Sequence, residues 1–265
     1  MLTVLIPCKN ERSHMDPCIE SVQSIADEIL VADSGSTDGT IEIARSLGCR
    51  VIEREYRTSG DFKNWAIPQA AHEWVLVVDA DERVTPELAD EIRELLAEGP
   101  TCDGYRLRRI NYFLGRPIRH GDWGRDQLLR LFRRDMGRYV GHTDHADVHV
   151  PSGRIGRLHK RLIHHSFVSY SQCLAKSYRY ANVQAELWHA AGRRSSYLHL
   201  LTRGPLRFFR SYVVRLGFLD GIAGLQCSIL NGYGAYLKQA CLWEMTQQTA
   251  DRESAETREP AARAA

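Results

Sequence analysis

Asp79-Ala80-Asp81-Glu82 follows directly on the apolar run Trp74-Val75-Leu76-Val77-Val78. A buried strand that ends in carboxylates places them at the carboxyl edge of a sheet, and in open α/β sheets ligands bind at that edge. Residues alternate faces along a strand, so Asp79 and Asp81 can point the same way. Two hard oxygen donors at such a spot suit Mg²⁺ or Mn²⁺ shared with a phosphate. The plainer alternative is a solvated turn whose acids cap the next helix. Three further stretches carry reactive or ligand-binding side chains: Pro7-Cys8-Lys9-Asn10-Glu11, Asp33-Ser34-Gly35-Ser36-Thr37-Asp38-Gly39-Thr40 and Lys63-Asn64. Together the four could surround a nucleotide, its diphosphate and a metal.

The elements that must position them read from the pattern. Leu2 to Cys8 is a buried strand. Asp16-Pro17 looks like a helix start, with proline tolerated in the first turn, and Cys18, Ile19, Val22 and Ile25 recur at helical spacing. Glu28 to Ala32 is a second strand that ends at Asp33. Thr37 or Asp38 can cap a helix carrying Ile41, Ala44 and Leu47, which Gly48 stops. Cys49 to Glu53 is a third strand, Phe62 to Ala71 a helical segment, and Trp74 to Val78 a fourth strand. Thr85-Pro86-Glu87 opens a helix that Gly99 closes. This alternation implies βαβ units, hence an α/β fold with a mainly parallel sheet and helices on both faces. Tyr105 to Ile110, Gln127 to Arg133 and Asp147 to Val150 read as further strands. Three of the four reactive stretches thus fall where carboxyl ends of strands gather.

In combination and order, Ile6-Pro7-Cys8-Lys9-Asn10-Glu11, Val31-Ala32-Asp33-Ser34-Gly35-Ser36-Thr37-Asp38-Gly39-Thr40 and Val78-Asp79-Ala80-Asp81-Glu82 resemble the inverting family 2 glycosyltransferases with the GT-A fold, and within them the WaaE/KdtX-like lipopolysaccharide core-sugar transferases. The resemblance spans roughly Leu2 to Glu244. It implies a Rossmann-like GT-A domain, a nucleotide-sugar donor, a divalent metal (Mn²⁺ or Mg²⁺) and a lipid-linked or core-oligosaccharide acceptor. It implies that Pro7, Asn10 and Glu11 line the nucleotide pocket and that Asp33 accepts a hydrogen bond from uracil or ribose. Lys63 then lies near the diphosphate, Asp79 faces the ribose or sugar, and Asp81 holds the metal. Ser36, Asp38 and Ala80, within the same stretches, count among the nucleotide-sugar-binding residues. The bottom-up chemistry agrees: a departing nucleoside diphosphate develops negative charge that a metal stabilises.

An inverting transfer also needs a general base for the acceptor hydroxyl. The segment Trp123-Gly124-Arg125-Asp126-Gln127-Leu128-Leu129-Arg130-Leu131-Phe132-Arg133 is similar to the family's Trp…Asp-x-Gln…Arg-Leu-Phe element. It makes Asp126 the base candidate, with Arg130 a partner for Asp126 or for the diphosphate; an Asp–Arg surface pair is the plainer reading. Asp122 and Asp144 are alternatives. Trp123, Arg130 and His145 are the candidates on the acceptor and diphosphate side. Where the family commonly has His-Glu, His145 is followed by Ala146. His142, His145 and His149, with His159, His164 and His165 beyond, read as polar positions near an anionic ligand in preference to a zinc site, since no cysteine joins them.

From Ser169 onward helices take over. Between Tyr197 and Tyr236, Arg203, Arg207, Arg210 and Arg215 interleave with Leu206, Phe208, Phe209, Tyr212, Val213, Val214 and Phe218. Such interleaving suits an anionic membrane surface or a helical layer whose arginine stems cover apolar surface. The tail after Met245 has almost no large apolar residue and reads as disordered or frayed. The expected organisation is a catalytic domain over 1–165, a helical acceptor- or membrane-facing extension over 166–245, and a tail over 246–265.

Composition bounds the rest. The chain has 265 residues, 43% hydrophobic and 26% charged, with a net charge of +2 that does not point to nucleic acid. Seven scattered cysteines without a Cys-x-x-Cys pair fit a reduced, cytoplasmic compartment. The N-terminus enters a strand pattern directly and does not read as a signal peptide. No apolar run approaches the ~20 residues of a membrane span, so a peripheral position on the inner face of the cytoplasmic membrane is expected. The absence of Gly-x-Gly-x-x-Gly after the first strand disfavours a dehydrogenase. A polyprenyl-phosphate sugar transferase and a degenerate scaffold in envelope assembly remain as alternatives.

Overall fold

The computed structural model describes residues 1–141, 147–167 and 169–263. In chain order the elements are β1 (Leu2–Cys8), α1 (Arg12–Val22), β2 (Glu28–Asp33), α2 (Thr40–Ser46), β3 (Arg50–Glu53), α3 (Ser59–Ala66), β4 (Trp74–Val77), β5 (Glu82–Val84), α4 (Pro86–Glu98), β6 (Gly104–Phe113), β7 (Arg116–Ile118), β8 (Gln127–Arg133), β9 (Arg138–Val140), β10 (Asp147–His149) and β11 (Ile155–Phe167). Helices α5 (Tyr170–Ala190), α6 (Tyr197–Phe209) and α7 (Gly221–Arg263) follow. The chain divides into two compact units, Met1–Tyr112 with Arg125–Ser166, and Phe113–Gly124 with Phe167–Ala265.

The main sheet runs β3-β2-β1-β4-β8-β6-β11-β5. β3, β2, β1 and β4 are parallel, with Cys8 paired to Asp33 and Leu5 to Val77. β8 joins β4 antiparallel, β6 joins β8 antiparallel, and β5 pairs β11 antiparallel. The sheet is therefore mixed, where the strand–helix alternation alone points to a mainly parallel one. Its parallel half comes from βαβ crossovers; beyond α4 no helical crossover separates β6 from β8, and antiparallel pairing needs none. The short β5, β7 and β9 and the long β11 have no clear period-2 signal in sequence.

Alternation along β1 explains why the sheet is buried on both faces. Leu2, Val4 and Ile6 pack with Met15, Cys18 and Ile19 of α1 and with Leu88 and Ile92 of α4. Leu5 points the other way, to Phe62 and Ala66 of α3. Each fully buried side chain of this size stabilises the fold by about 1.5–3 kcal/mol. All seven cysteines are free thiols. Burial first, outweighing the nearby Arg83, pushes the Cys18 thiol up to about 12, so it packs as a small apolar group.

α1 begins at Arg12, a turn before the expected start, and holds Pro17 inside it. The reason lies in the loop after β2. The amides of Asn10, Glu11 and Arg12 donate to Ser36 Oγ (2.8 Å), Thr40 Oγ1 (2.9 Å) and Asp38 Oδ2 (3.1 Å). Side chains from another segment thus satisfy donors that a helix start leaves open.

In the second unit, Gly204 of α6 and Gly232 of α7 meet closely; a Cβ on Gly232 would lie 2.9 Å from the Gly204 carbonyl oxygen. Phe113 and Ile118 pack with Cys173, Ala223, Cys227 and Leu230, with Trp123 against them. That apolar cluster draws Phe113–Gly124 into the C-terminal unit, which the expected boundary at 165 does not foresee. The backbone from 246 to 263 continues α7. Ala, Glu, Gln and Arg are good helix formers, and extending an existing helix avoids the cost of nucleation.

Candidate active site

The parallel register brings the ends of β1, β2 and β4 side by side, so the loops that follow them form one edge. The loop after β2 is built on Asp33, which is fully buried. Its Oδ2 accepts from the amides of Gly35 (2.7 Å) and Ser36 (2.8 Å), and its Oδ1 from Ser36 Oγ and Cys8 Sγ. Direct contact between Asp33 and a base or ribose would have to displace one of these. Asn10, with a φ of 55°, completes the loop pair by accepting from Thr37 N through Oδ1 at 2.8 Å. Asp38 accepts from Thr40 N at 3.1 Å and so opens α2, with Gly39 between them at a φ of 93°. Pro7, Asn10, Glu11, Ser36 and Asp38 are thus together on one rim.

A line of alternating charge crosses the adjoining strands. Asp79 Oδ1 accepts from Lys63 Nζ at 3.0 Å, and its Oδ2 from Arg130 Nη2 at 2.5 Å. Arg130 Nη2 also reaches Glu82 Oε1 at 3.1 Å, and Arg109 Nη1 reaches the same oxygen at 2.8 Å. Arg109 Nε and Nη2 both donate to Asp126 Oδ2, at 2.9 and 2.5 Å. Asn111 Nδ2 adds a third donor to that oxygen at 3.3 Å. The line therefore reads Lys63, Asp79, Arg130, Glu82, Arg109, Asp126. Burial pushes the Asp79 carboxyl up, but Arg130 and Lys63 outweigh it and hold Asp79 well below the usual carboxylate range. Burial likewise works against the Lys63 and Arg130 cations, and their carboxylate partners raise both above their ordinary values.

Asp81 lies off this line. The carboxylate Oδ2 is 3.3 Å from His164 Nε2, and the backbone carbonyl accepts from His165 N at 2.9 Å. His164 Nδ1 faces Asn111 Oδ1 at 2.6 Å, which orients the ring. His165 lies between the rings of His14 (6.4 Å) and Tyr112 (5.4 Å). Burial first, then Arg83, lowers the pKa of both His14 and His165. Ala80 is buried, and its carbonyl accepts from Arg83 Nη1 at 2.8 Å. The two aspartates of the Asp-x-Asp pair thus have different surroundings. Asp79 is neutralised by two cations, whereas Asp81 stands beside an imidazole.

Arg130 does not pair with Asp126, as the sequence allowed. Four residues along an extended strand are about 13 Å apart, whereas Arg109 stands directly across the β6–β8 ladder and donates its amide to the Asp126 carbonyl at 3.1 Å. Arg130 Nε is buried without a hydrogen-bond partner among the described residues, which leaves one donor open. Trp123 belongs to the second unit, where its Nε1 donates to Asn231 at 3.1 Å and its ring packs on Phe113 and Phe167. Asp122 pairs there with Arg207 (2.7 Å) and Arg215. His142, Asp144, His145 and Ala146 lie outside the described residues. His149 is exposed on β10. Sequence reasoning missed Glu82, Arg109, Asn111 and His164 as members of this cluster. The signal for Arg109 and Asn111 was their period-2 spacing on β6, in step with the apolar Leu107.

A sequence profile described as glycosyl transferase family 2 matches residues 3–162, which contain the whole charged line. The chain belongs to glycosyl transferase family 2. A relative, the lipopolysaccharide core biosynthesis glycosyltransferase LpsC of Rhizobium meliloti (strain 1021), is 29% identical over 250 residues, 92% of each chain. An uncharacterized glycosyltransferase of Rickettsia bellii (strain RML369-C) is 29% identical over 262 residues, 93% of this chain and 87% of the relative. Among solved structures, glucosyl-3-phosphoglycerate synthase from Mycobacterium tuberculosis in complex with phosphoglyceric acid shares the fold, with a TM-score of 0.53 and 16% identity over 74% of this chain and 81% of that one. The fold is accordingly that of the GT-A glycosyltransferases, with a C-terminal helical region.

Proposed function

We propose that this glycosyltransferase inverts the anomeric centre as it moves a hexose from a UDP-sugar to a lipopolysaccharide core or other lipid-linked glycan. The observation that carries the reading is the unequal pair at the end of β4. Asp79 is held by Lys63 and Arg130, and Asp81 faces His164. Lys63 and Arg130, both on Asp79, supply the positive charge for a donor diphosphate in this reading. The relative LpsC, similar over 92% of both chains, supports a core-oligosaccharide acceptor.

Asp126 is the base in this reading. All three of its side-chain hydrogen bonds fall on Oδ2, so the carboxylate is held from one side and Oδ1 has no protein donor among the described residues. The acceptor hydroxyl attacks the anomeric carbon and gives its proton to Asp126 Oδ1. The bond from that carbon to the diphosphate oxygen breaks, and the electron pair leaves with the diphosphate. Arg130 and Lys63 stabilise the charge that develops there.

Asp81 and His164 fit a divalent ion: one hard carboxylate oxygen and one imidazole, both partly exposed. Among the described residues no three such side chains converge. A cation of this class commonly takes few protein ligands and completes its shell with phosphate oxygens and water. When bound, the ion supplies positive charge to the leaving diphosphate. Asp81→Ala is expected to abolish Mn²⁺-dependent UDP binding, read by calorimetry, while the ligand-free melting temperature stays that of the parent. Unchanged Mn²⁺-dependent turnover in the variant would reject the assignment. Thermal shifts across a panel of nucleotide sugars with Mn²⁺ identify the donor, because a ligand specific to the native state raises apparent stability by mass action.

A lipid-linked acceptor places the enzyme at a membrane surface. Among the described residues no single helix is long and apolar enough to cross a membrane. Of the four arginines on the basic stripe, Arg207 and Arg215 are committed to Asp122, so Arg203 and Arg210, both exposed, are the pair that meets anionic lipid headgroups.

A further inference from the structure

The turn that joins α6 to α7 carries an unusual distribution of side chains. Residues 211–222 include two charged groups, Arg215 and Asp220. Both are tied within their own unit. Arg215 pairs with Asp122, and Asp220 is nearly buried. Asp220 Oδ2 accepts from the amides of Arg119 (3.0 Å) and His120 (2.7 Å), and Oδ1 meets His120 Nδ1 at 2.8 Å. The outward side chains are apolar: Val214 is 63% exposed, Leu219 56% and Ile222 75%, with Val213, Leu216 and Phe218 also open to solvent.

The backbone of the same turn is largely satisfied from inside. Arg215 N donates to Arg210 O (2.9 Å), Leu216 N to Val213 O (3.1 Å), and Leu219 N to Leu216 O (3.0 Å). The Arg215 carbonyl accepts from Gly121 N at 2.9 Å. A turn in water has no need to withdraw its charges and its backbone polar groups together. Hydrocarbon imposes both demands, since unpaired backbone groups and charges are each costly there. The helical stretches Tyr197–Val214 and Gly217–Thr249 bend by 72° at this turn and together have the length and apolar composition of a membrane-inserted pair. Arg210, exposed and immediately before this stretch, is placed for a headgroup phosphate.

We propose that the tip at residues 211–222 inserts into the acyl region of one bilayer leaflet and anchors the enzyme by apolar burial. The proposal rests on the peripheral membrane reading given above. It adds that the driving force is insertion, so a zwitterionic bilayer suffices and screening does not release the protein. The occupant is lipid because a protein partner would not require the turn's charges to be paired away from the contact face.

The test is co-flotation of the full chain with vesicles of neutral phosphatidylcholine, in low salt and in 1 M NaCl, where the Debye length is about 3 Å. The parent is expected to float in both. Val214→Glu, Leu219→Glu and Ile222→Glu combined should lower the partition coefficient at least about 100-fold, since each apolar chain of this size is worth about tenfold or more when buried. These side chains are solvent-exposed, so the combined variant should melt with the parent and hydrolyse donor at the parent's rate without vesicles. Leu219→Trp gives an independent readout: emission added over the parent should shift to the blue with vesicles and be quenched by brominated acyl chains. Flotation only with anionic vesicles, reversed by salt, would overturn insertion and leave the peripheral reading standing. An absence of flotation would overturn it as well; if the parent then self-associates and the combined variant does not, a second copy covers the tip.

Discussion

Asp126→Asn is expected to lower kcat by roughly 10²- to 10⁴-fold, the range for loss of a positioned general base. The amide is close to isosteric and can still accept from Arg109 and Asn111 through one oxygen, so the surrounding side chains keep their places. It cannot take a proton from the acceptor hydroxyl. Donor affinity should change little, because Asp126 is linked to Asp79 and Lys63 only through Arg109, Glu82 and Arg130. The informative measurement is single-turnover transfer at saturating donor beside direct titration of UDP. A slow step with normal UDP affinity supports the base. Lost UDP affinity with normal transfer of whatever donor remains bound would make Asp126 a binding residue instead.

The parts of this site that were legible in the sequence are those that depend on chain-local patterns. β1, β2 and β4 stand out as apolar runs because parallel strands are buried on both faces. The residues just after each run are then placed at the carboxyl edge without further information. Asp79, Asp81 and Asp33 were found in this way. Glu82 belongs to the same phrase, but its burial is not legible there. It is the first residue of the short β5, whose partner β11 lies far along the chain, and no local period marks either. Arg109, Asn111 and His164 come to the site by antiparallel ladders of the same kind. Ion pairing is set by the same ladders. By sequence Arg130 is open to Asp126 or to a diphosphate, whereas partners in a sheet stand across the ladder, as Arg109 and Asp126 do. In the second unit the arginine stripe was legible, but not that Asp122 occupies two of its members.

Glu82→Ala is expected to destabilise the fold more than any other single change in the charged line. Glu82 is fully buried, and its two oxygens carry three contacts: Arg109 and Arg130 on Oε1, and the Asp79 amide on Oε2 at 2.9 Å. Truncation leaves two mostly buried guanidinium groups sharing less negative charge and one amide without its acceptor. Breaking a buried ion pair from one side costs about 3–5 kcal/mol, against a total stability of about 5–15 kcal/mol for a typical domain. In a protein of this size that corresponds to a fall in Tm on the order of 10 °C. Glu82→Gln separates charge from shape. It keeps an oxygen for the two arginines or for the amide, but not the negative charge between the cations. Its melting temperature should lie between those of Glu82→Ala and the parent. The loss in Glu82→Ala should be larger than for Asp126→Asn, whose side chain is partly exposed, so that solvent screens the cation left behind. Thermal melts of the three variants in the same buffer decide the matter. If Glu82→Ala melts within about 2 °C of the parent, no more than the shift that 1 kcal/mol produces, Glu82 contributes little to the fold. Arg109 and Arg130 would then be held by Asp126 and Asp79 alone.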